Sequence, residues 1–171
     1  MMLGIAGAAL AQDPEPVEPK KWAIRLGGFV PTQGTLRNQS GSPYYMVAFD
    51  YYPNLRYKPL GGDIYLNVDF KWRESGGQGF MTIPVAANVK WNITPDTSDY
   101  RVWGGLGAGI YFINTAFIGG TTQPGARFFL GGDITDKWFL EVDYEWVGGF
   151  TDGRGNGLRT DGVTFSVGRR F

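Results

Sequence analysis

From residue 22 onward the chain repeatedly alternates apolar and polar side chains, and a period of two is the signature of strands with two different faces. The clearest run is 62–72, where Ile64, Leu66, Val68, Phe70 and Trp72 alternate with Asp63, Tyr65, Asn67, Asp69 and Lys71. Seven more runs share the pattern, at about 22–30, 44–52, 80–91, 100–113, 124–134, 138–147 and 162–171. Residues 138–147 set Trp138, Leu140, Val142, Tyr144 and Trp146 against Glu141, Asp143 and Glu145. Pro84 lies on the polar face of the fourth run, where it weakens a strand without ending it. Eight antiparallel strands joined in sequence can close into an up-and-down barrel, which leaves no edge exposed.

The connections differ in character. Residues 31–43 and 149–161 are long, polar and Gly-rich, whereas Thr135-Asp136-Lys137 reads as a tight turn. If the long connections face outward, both termini lie on the opposite side. The connection from Pro53 to Gly61 is longer than that scheme requires. A three-residue turn at 135–137 pairs Ile134 with Trp138 and, by counting, places Arg127 opposite Glu145, with Asp143 on the diagonal. Facing residues have Cβ atoms ~4.5–5.5 Å apart, so Arg127 and Glu145 are expected to form an ion pair.

Alternation alone does not say whether the apolar face meets lipid or fills a soluble core. Two features favour lipid. Trp22, Trp91 and Trp138 stand near one end of the apolar face and Trp72 and Trp146 near the other, as in an aromatic girdle at two membrane interfaces. A tilted strand from Trp138 to Trp146 rises roughly 20 Å, near the ~25 Å apolar band of membrane barrels. The polar face is also rich in small residues, among them Gly27, Ala48, Ala86, Gly105, Gly107, Gly109, Gly131, Ser166 and Gly168. A solvent-facing surface has no use for so much glycine, but the narrow lumen of eight strands does. The fold expected is therefore all-β, an eight-stranded antiparallel up-and-down transmembrane β-barrel over 22–171. A soluble secreted lipocalin-like binding barrel is the alternative.

The segment Trp103-Gly104-Gly105-Leu106-Gly107-Ala108-Gly109-Ile110-Tyr111-Phe112 resembles the Gly-rich fifth strand of bacterial outer membrane β-barrels. That broad family includes the OmpA transmembrane domain, OmpW-like proteins and opacity-type adhesins. The ending Val163-Thr164-Phe165-Ser166-Val167-Gly168-Arg169-Arg170-Phe171 is similar to the family's last strand, with Arg169 standing where an apolar or aromatic residue is usual. The resemblance implies a bacterial outer membrane location, and it implies that Phe171 is the signal read by the barrel insertion machinery. Outer membrane lipid and lipopolysaccharide would be the surroundings, and a narrow conduit for small apolar molecules is what likeness to the OmpW-like members would imply.

The first residues fit export. Residues 1–11 are apolar and end in Ala9-Leu10-Ala11, a small-x-small cleavage pattern, though without a basic start. They read as an export signal remnant. Residues 12–21, with Pro14, Pro16 and Pro19 among charges, read as an extended periplasmic tether.

On the lumen parity lie the acids Asp50, Asp63, Asp69, Asp133, Glu141, Asp143 and Glu145 and the bases Arg25, Lys71, Lys90, Arg101, Arg127 and Arg170. Buried charge is costly unless paired, so this near-balance points to an internal network that plugs the barrel. The row Glu141, Asp143, Glu145 could alternatively serve a paired-carboxylate hydrolase. The chain contains no His and no Cys, which excludes a His general base, a Ser-His-Asp triad, an ordinary zinc site and thiol chemistry. Enzymatic barrels of this membrane class resemble one another in relying on His. No enzyme, no cofactor and no metal are therefore expected. Sixteen basic and sixteen acidic residues give zero formal charge, which speaks against nucleic acid. The glycines of 104–109 alternate within a strand and do not open a helix, so they are not a phosphate loop. A monomeric structural or surface-interacting role is expected, with recognition in the loops near 31–43, 73–79, 114–123 and 149–161. Arg154 and Arg159, in a Gly-rich loop expected to be mobile, are candidate contacts for lipopolysaccharide phosphates.

Overall fold

The computed structural model describes residues 20–53, 58–75, 78–95, 98, 100–115, 119–151, 155 and 157–171. The export segment and most of the tether lie outside the described residues. The chain forms β1 (Trp22–Pro31), α1 (Gly34–Ser40), β2 (Tyr44–Tyr51), a 3-10 turn (Pro59–Gly61), β3 (Asp63–Ser75), β4 (Gln78–Asn92), β5 (Val102–Thr115), β6 (Gly119–Asp133), β7 (Trp138–Val147), β8 (Phe150–Thr151), β9 (Gly157–Leu158) and β10 (Gly162–Arg170). Strands β1 to β7 and β10 close into an antiparallel barrel, in which β10 pairs with both β7 and β1. The fold is the expected eight-stranded up-and-down barrel.

The turn at 135–137 sets the register foreseen: the Ile134 N–H donates to the Trp138 carbonyl at 2.8 Å, and Arg127 faces Glu145. The barrel closes the same way at the chain ends, where the Phe171 N–H donates to the Trp22 carbonyl at 2.8 Å.

Period two sorts the side chains as the strand geometry demands. Strand β7 alternates exposed and buried without a break. Leu26, Phe49, Leu106, Phe128, Leu130, Leu140, Val142 and Phe165 all point outward and are exposed. Arg25, Asp50, Asp69, Lys71, Arg127, Asp143 and Glu145 point inward and are almost wholly buried. A soluble binding barrel would have the opposite arrangement.

The lumen is narrow enough that its glycines are required sterically. A Cβ on Gly168 would come within 2.1 Å of the Phe139 ring, and one on Gly131 within 2.6 Å of the Trp103 indole.

The loops depart from expectation in two ways. Segments 73–79 and 114–123 are not long loops: the ladders continue to Ser75↔Gln78 and Thr115↔Gly119. The connection 31–43 contains α1, and the base of 149–161 forms the β8–β9 hairpin. That hairpin is bonded in place. Gln33 donates to the Gly157 carbonyl at 3.0 Å and accepts from the Arg159 N–H at 2.6 Å, while an Asp161 carboxylate oxygen accepts the Val147 N–H at 2.7 Å. Arg154 lies outside the described residues. Arg159 pairs with Asp161 at 2.9 Å, which corrects the view of it as part of a mobile loop.

Candidate functional site: a charged layer between two aromatic layers

The lumen is stratified. Towards the end bearing α1, Phe29, Leu36, Tyr44, Phe80, Tyr111, Ile113 and Val147 form an apolar layer. Towards the end where β1 begins and β10 ends, Ala23, Tyr65, Trp103, Phe129 and Phe139 form a second. Between them β1, β2, β3, β6 and β7 contribute eight buried charges: Arg25, Asp50, Asp69, Lys71, Arg127, Glu141, Asp143 and Glu145.

Arg25 is the hub. Its Nε and Nη2 grip Asp50 at 3.0 and 3.2 Å, its Nη1 reaches Glu141 at 2.7 Å and Asp143 at 3.2 Å, and its Nη2 reaches Asp69 at 3.3 Å. One planar guanidinium with five donors suits such convergence, which an ammonium could not match. Arg127 bonds Asp143 and also meets Glu141 at 3.4 Å and Asp69 at 3.7 Å. Lys71 bonds Glu145 and lies 3.5 Å from Asp69. Asn67 donates to Asp69. The aromatic layers lie directly against these charges: the Lys71 ammonium is 4.9 Å from the Phe29 ring centroid, and the Arg127 guanidinium is 5.5 Å from that of Phe129. The Trp103 indole N–H donates to Glu141 Oε2 at 3.4 Å.

The anticipated pair Arg127–Glu145 does not form, although the register that suggested it is correct. Arg127 takes the diagonal Asp143, and Glu145 takes Lys71 from β3 across the lumen. Several other residues assigned to the network lie outside it. Arg101 precedes β5 and is exposed, because strand pairing starts at Val102. Asp63, also expected inside, is half-exposed at the rim and pairs with Lys58 at 2.8 Å. Asp133 and Arg170 form a separate pair at 2.5 Å near the terminal mouth. Lys90, partly buried, has no acidic partner among the described residues; its ammonium lies 5.0 and 5.1 Å from the Tyr52 and Trp103 rings.

Outside the barrel, Trp22, Trp72, Trp138 and Trp146 are exposed, whereas Trp91 is half-buried. Gly62 lies so close to the Trp91 indole that a Cβ there would come within 2.8 Å of it. Phe171 is exposed, and the Arg169 guanidinium lies 5.0 Å from its ring and 5.6 Å from that of Trp138. The unusual arginine near the chain end thus covers aromatic surface with its charged head at the rim. Among the described residues, no group of His, Cys, Asp and Glu side chains is arranged to hold a metal ion. Sequence reasoning missed α1 and the place of its Leu36 in the apolar layer. Leu36 and Leu158 were the available signal, as isolated apolar residues in polar loops.

The fold matches known barrels. The crystal structure of a major outer membrane protein from Thermus thermophilus superposes with a TM-score of 0.52, covering 88% of this chain and 99% of that one at 10% identity. That of Neisserial surface protein A (NspA) gives 0.54, with 88% and 95% coverage at 11% identity. These likenesses show a shared fold, the closed antiparallel barrel. No family model matches the chain, and no curated protein matches it in sequence.

Proposed function

We propose that this chain is a small outer membrane barrel that is closed to solutes and has a structural or surface-interacting role in the bacterial envelope. One observation carries the reading: the exposed face of the barrel is apolar, and the charges are inside. In water that arrangement would leave a continuous hydrophobic belt exposed, far beyond what a soluble monomer tolerates. In a bilayer the same belt meets hydrocarbon, while the closed ladder satisfies the backbone. The fold shared with a major outer membrane protein and with a bacterial surface protein supports the same placement.

The filled lumen supports a plug over a conduit for small apolar molecules. Such a molecule would have to pass two packed aromatic layers and a charged one. No catalytic step is proposed, because the row Glu141, Asp143, Glu145 is engaged by Arg25, Arg127 and Lys71. Surface interaction falls to the α1 loop and the β8–β9 hairpin. Lipid and lipopolysaccharide are the surroundings, Phe171 is the proposed mark for the insertion machinery, and the chain acts as a monomer.

Cell fractionation with heat-modifiable gel mobility tests this. A band in the outer membrane fraction that migrates faster unheated than boiled is expected. Recovery as a soluble periplasmic protein would overturn the reading.

A further inference from the structure

The barrel end where β1 begins and β10 ends is not packed flush. A cavity of about 700 Å³ opens there beyond Trp103. Its lining is rich in cations: Lys20, Lys90, Arg101 and Arg170. Among the described residues three acids line it, Asp63, Asp133 and Asp136, against these four cations. Asp63 is engaged by Lys58 at 2.8 Å, and Asp133 takes one guanidinium nitrogen of Arg170 at 2.5 Å. Lys20 donates to the backbone carbonyl of Asp136, leaving that carboxylate outside the contact. Lys90 makes neither an ion pair nor a hydrogen bond among the described residues.

Two of these cations converge on one ring. The Lys90 ammonium lies 5.1 Å from the Trp103 ring centroid and the Arg170 guanidinium 4.9 Å from it. Tyr52 on one side and Phe139 on the other, at 5.0 and 4.5 Å, complete an aromatic frame. Ring faces partly compensate a cation but use none of an ammonium's three N–H donors. Arg170 is the like charge that weighs most on Lys90; the carboxylates of Glu141, of Asp63 (its partner across the β3–β4 ladder) and of Asp133 oppose it, and an anion bound between the two cations would add to them.

We propose that this mouth binds a small organic anion, its phosphate or carboxylate held between Lys90 and Arg170. The arginine's remaining N–H groups suit two oxygens of such a head group, and the lysine supplies a point charge. The volume is that of a small-molecule pocket and exceeds what one inorganic ion fills. The ligand enters from the side where β1 begins, because the α1 end is covered by its bonded loops. Its phosphate has two sources, a free solute or the head group of an anionic lipid at the barrel rim, near Trp22 and Trp138. The site is a feature of the barrel itself, so it stands or falls independently of the proposed envelope role.

The test uses the full chain in dodecyl maltoside, a nonionic detergent. In the first arm glycerol 3-phosphate is titrated by calorimetry at constant ionic strength, with the Trp103 indole N–H followed by NMR. In the second, short-chain phosphatidylglycerol is doped into the micelles, with phosphatidylcholine as control. Saturable binding in the first arm, or a Trp103 shift with phosphatidylglycerol alone in the second, is expected. Lys90→Gln should weaken it at least tenfold, Lys90→Arg should retain it, and Lys58→Gln should leave it unchanged. Unboiled gel mobility checks that each variant is folded; if Lys90→Gln fails to fold, the Trp103 indole N–H beside Lys90 and Arg170 decides, and saturable binding that leaves it unshifted overturns the proposal. No saturable response in either arm, an equal response to phosphatidylcholine, or binding untouched by Lys90→Gln overturns the proposal.

Discussion

Arg127 stands directly opposite Glu145 in the β6–β7 ladder, yet its guanidinium bonds Asp143, the diagonal neighbour. Backbone register sets which Cα atoms face each other. Which charges meet is decided by the long side chains converging from across the lumen, and Lys71 of β3 claims Glu145 first.

Double-mutant cycles should report this pairing. Arg127→Met with Asp143→Asn is expected to show a coupling of ~0.5–3 kcal/mol, with the double change milder than the sum of the single ones. Arg127→Met with Glu145→Gln should be closer to additive, and Lys71→Met with Glu145→Gln strongly coupled. Urea unfolding in lipid vesicles measures all three. A larger coupling of Arg127 to Glu145 than to Asp143 would contradict the geometry.

Arg25 should be the least replaceable charge of the layer. It contacts Asp50, Asp69, Glu141 and Asp143, so Arg25→Met leaves four carboxylates short of a partner. Removing one member of a fully buried ion pair costs ~3–5 kcal/mol, and the loss here is expected at or above the top of that range. Arg159→Met, whose pair with Asp161 is partly exposed, should cost at most ~1 kcal/mol. Vesicle unfolding midpoints compare the two.

The outer face should reject charge near mid-strand. Val142 is outward-facing between Leu130 on β6 and Phe165 on β10. If it lies at the bilayer midplane, Val142→Arg costs ~2–4 kcal/mol in liposomes. Unchanged stability there would show that this surface does not meet hydrocarbon.

Tight lumen packing gives a steric prediction. In Gly168→Val the new Cβ would meet the Phe139 ring at 2.1 Å, so the ring must move. Overpacking of this kind costs ~1–3 kcal/mol. Gly79→Ala, with open space around the added carbon, should stay within about 0.5 kcal/mol of wild type. Equal stability of both variants would mean that the lumen can relax around Gly168.

Tryptophan emission distinguishes the two faces. In single-Trp variants, Trp138 and Trp146 are expected to be quenched by brominated lipid, and buried Trp103 to be protected. Quenching of Trp103 alone would reverse the assignment of inside and outside.

Period two, the eight runs and the tight turn at 135–137 were enough to determine the strands, the closed barrel, the register of β6 against β7 and the sorting of side chains between two faces. Strand geometry is local and repeats every second residue, so these properties are written residue by residue. Partner choice inside the lumen is not local. Arg25 of β1 reaches Glu141 of β7, although β10 lies between their strands, because side chains from every wall meet in one narrow interior. Parity likewise placed Arg101 and Asp63 inside, but it carries no information on where the barrel ends, and both lie at its rim. The helix Gly34–Ser40, the bonded β8–β9 hairpin and the cation-lined mouth also depend on segments far apart in the chain. Only closure of the barrel brings them together, and so only the tertiary structure decides them.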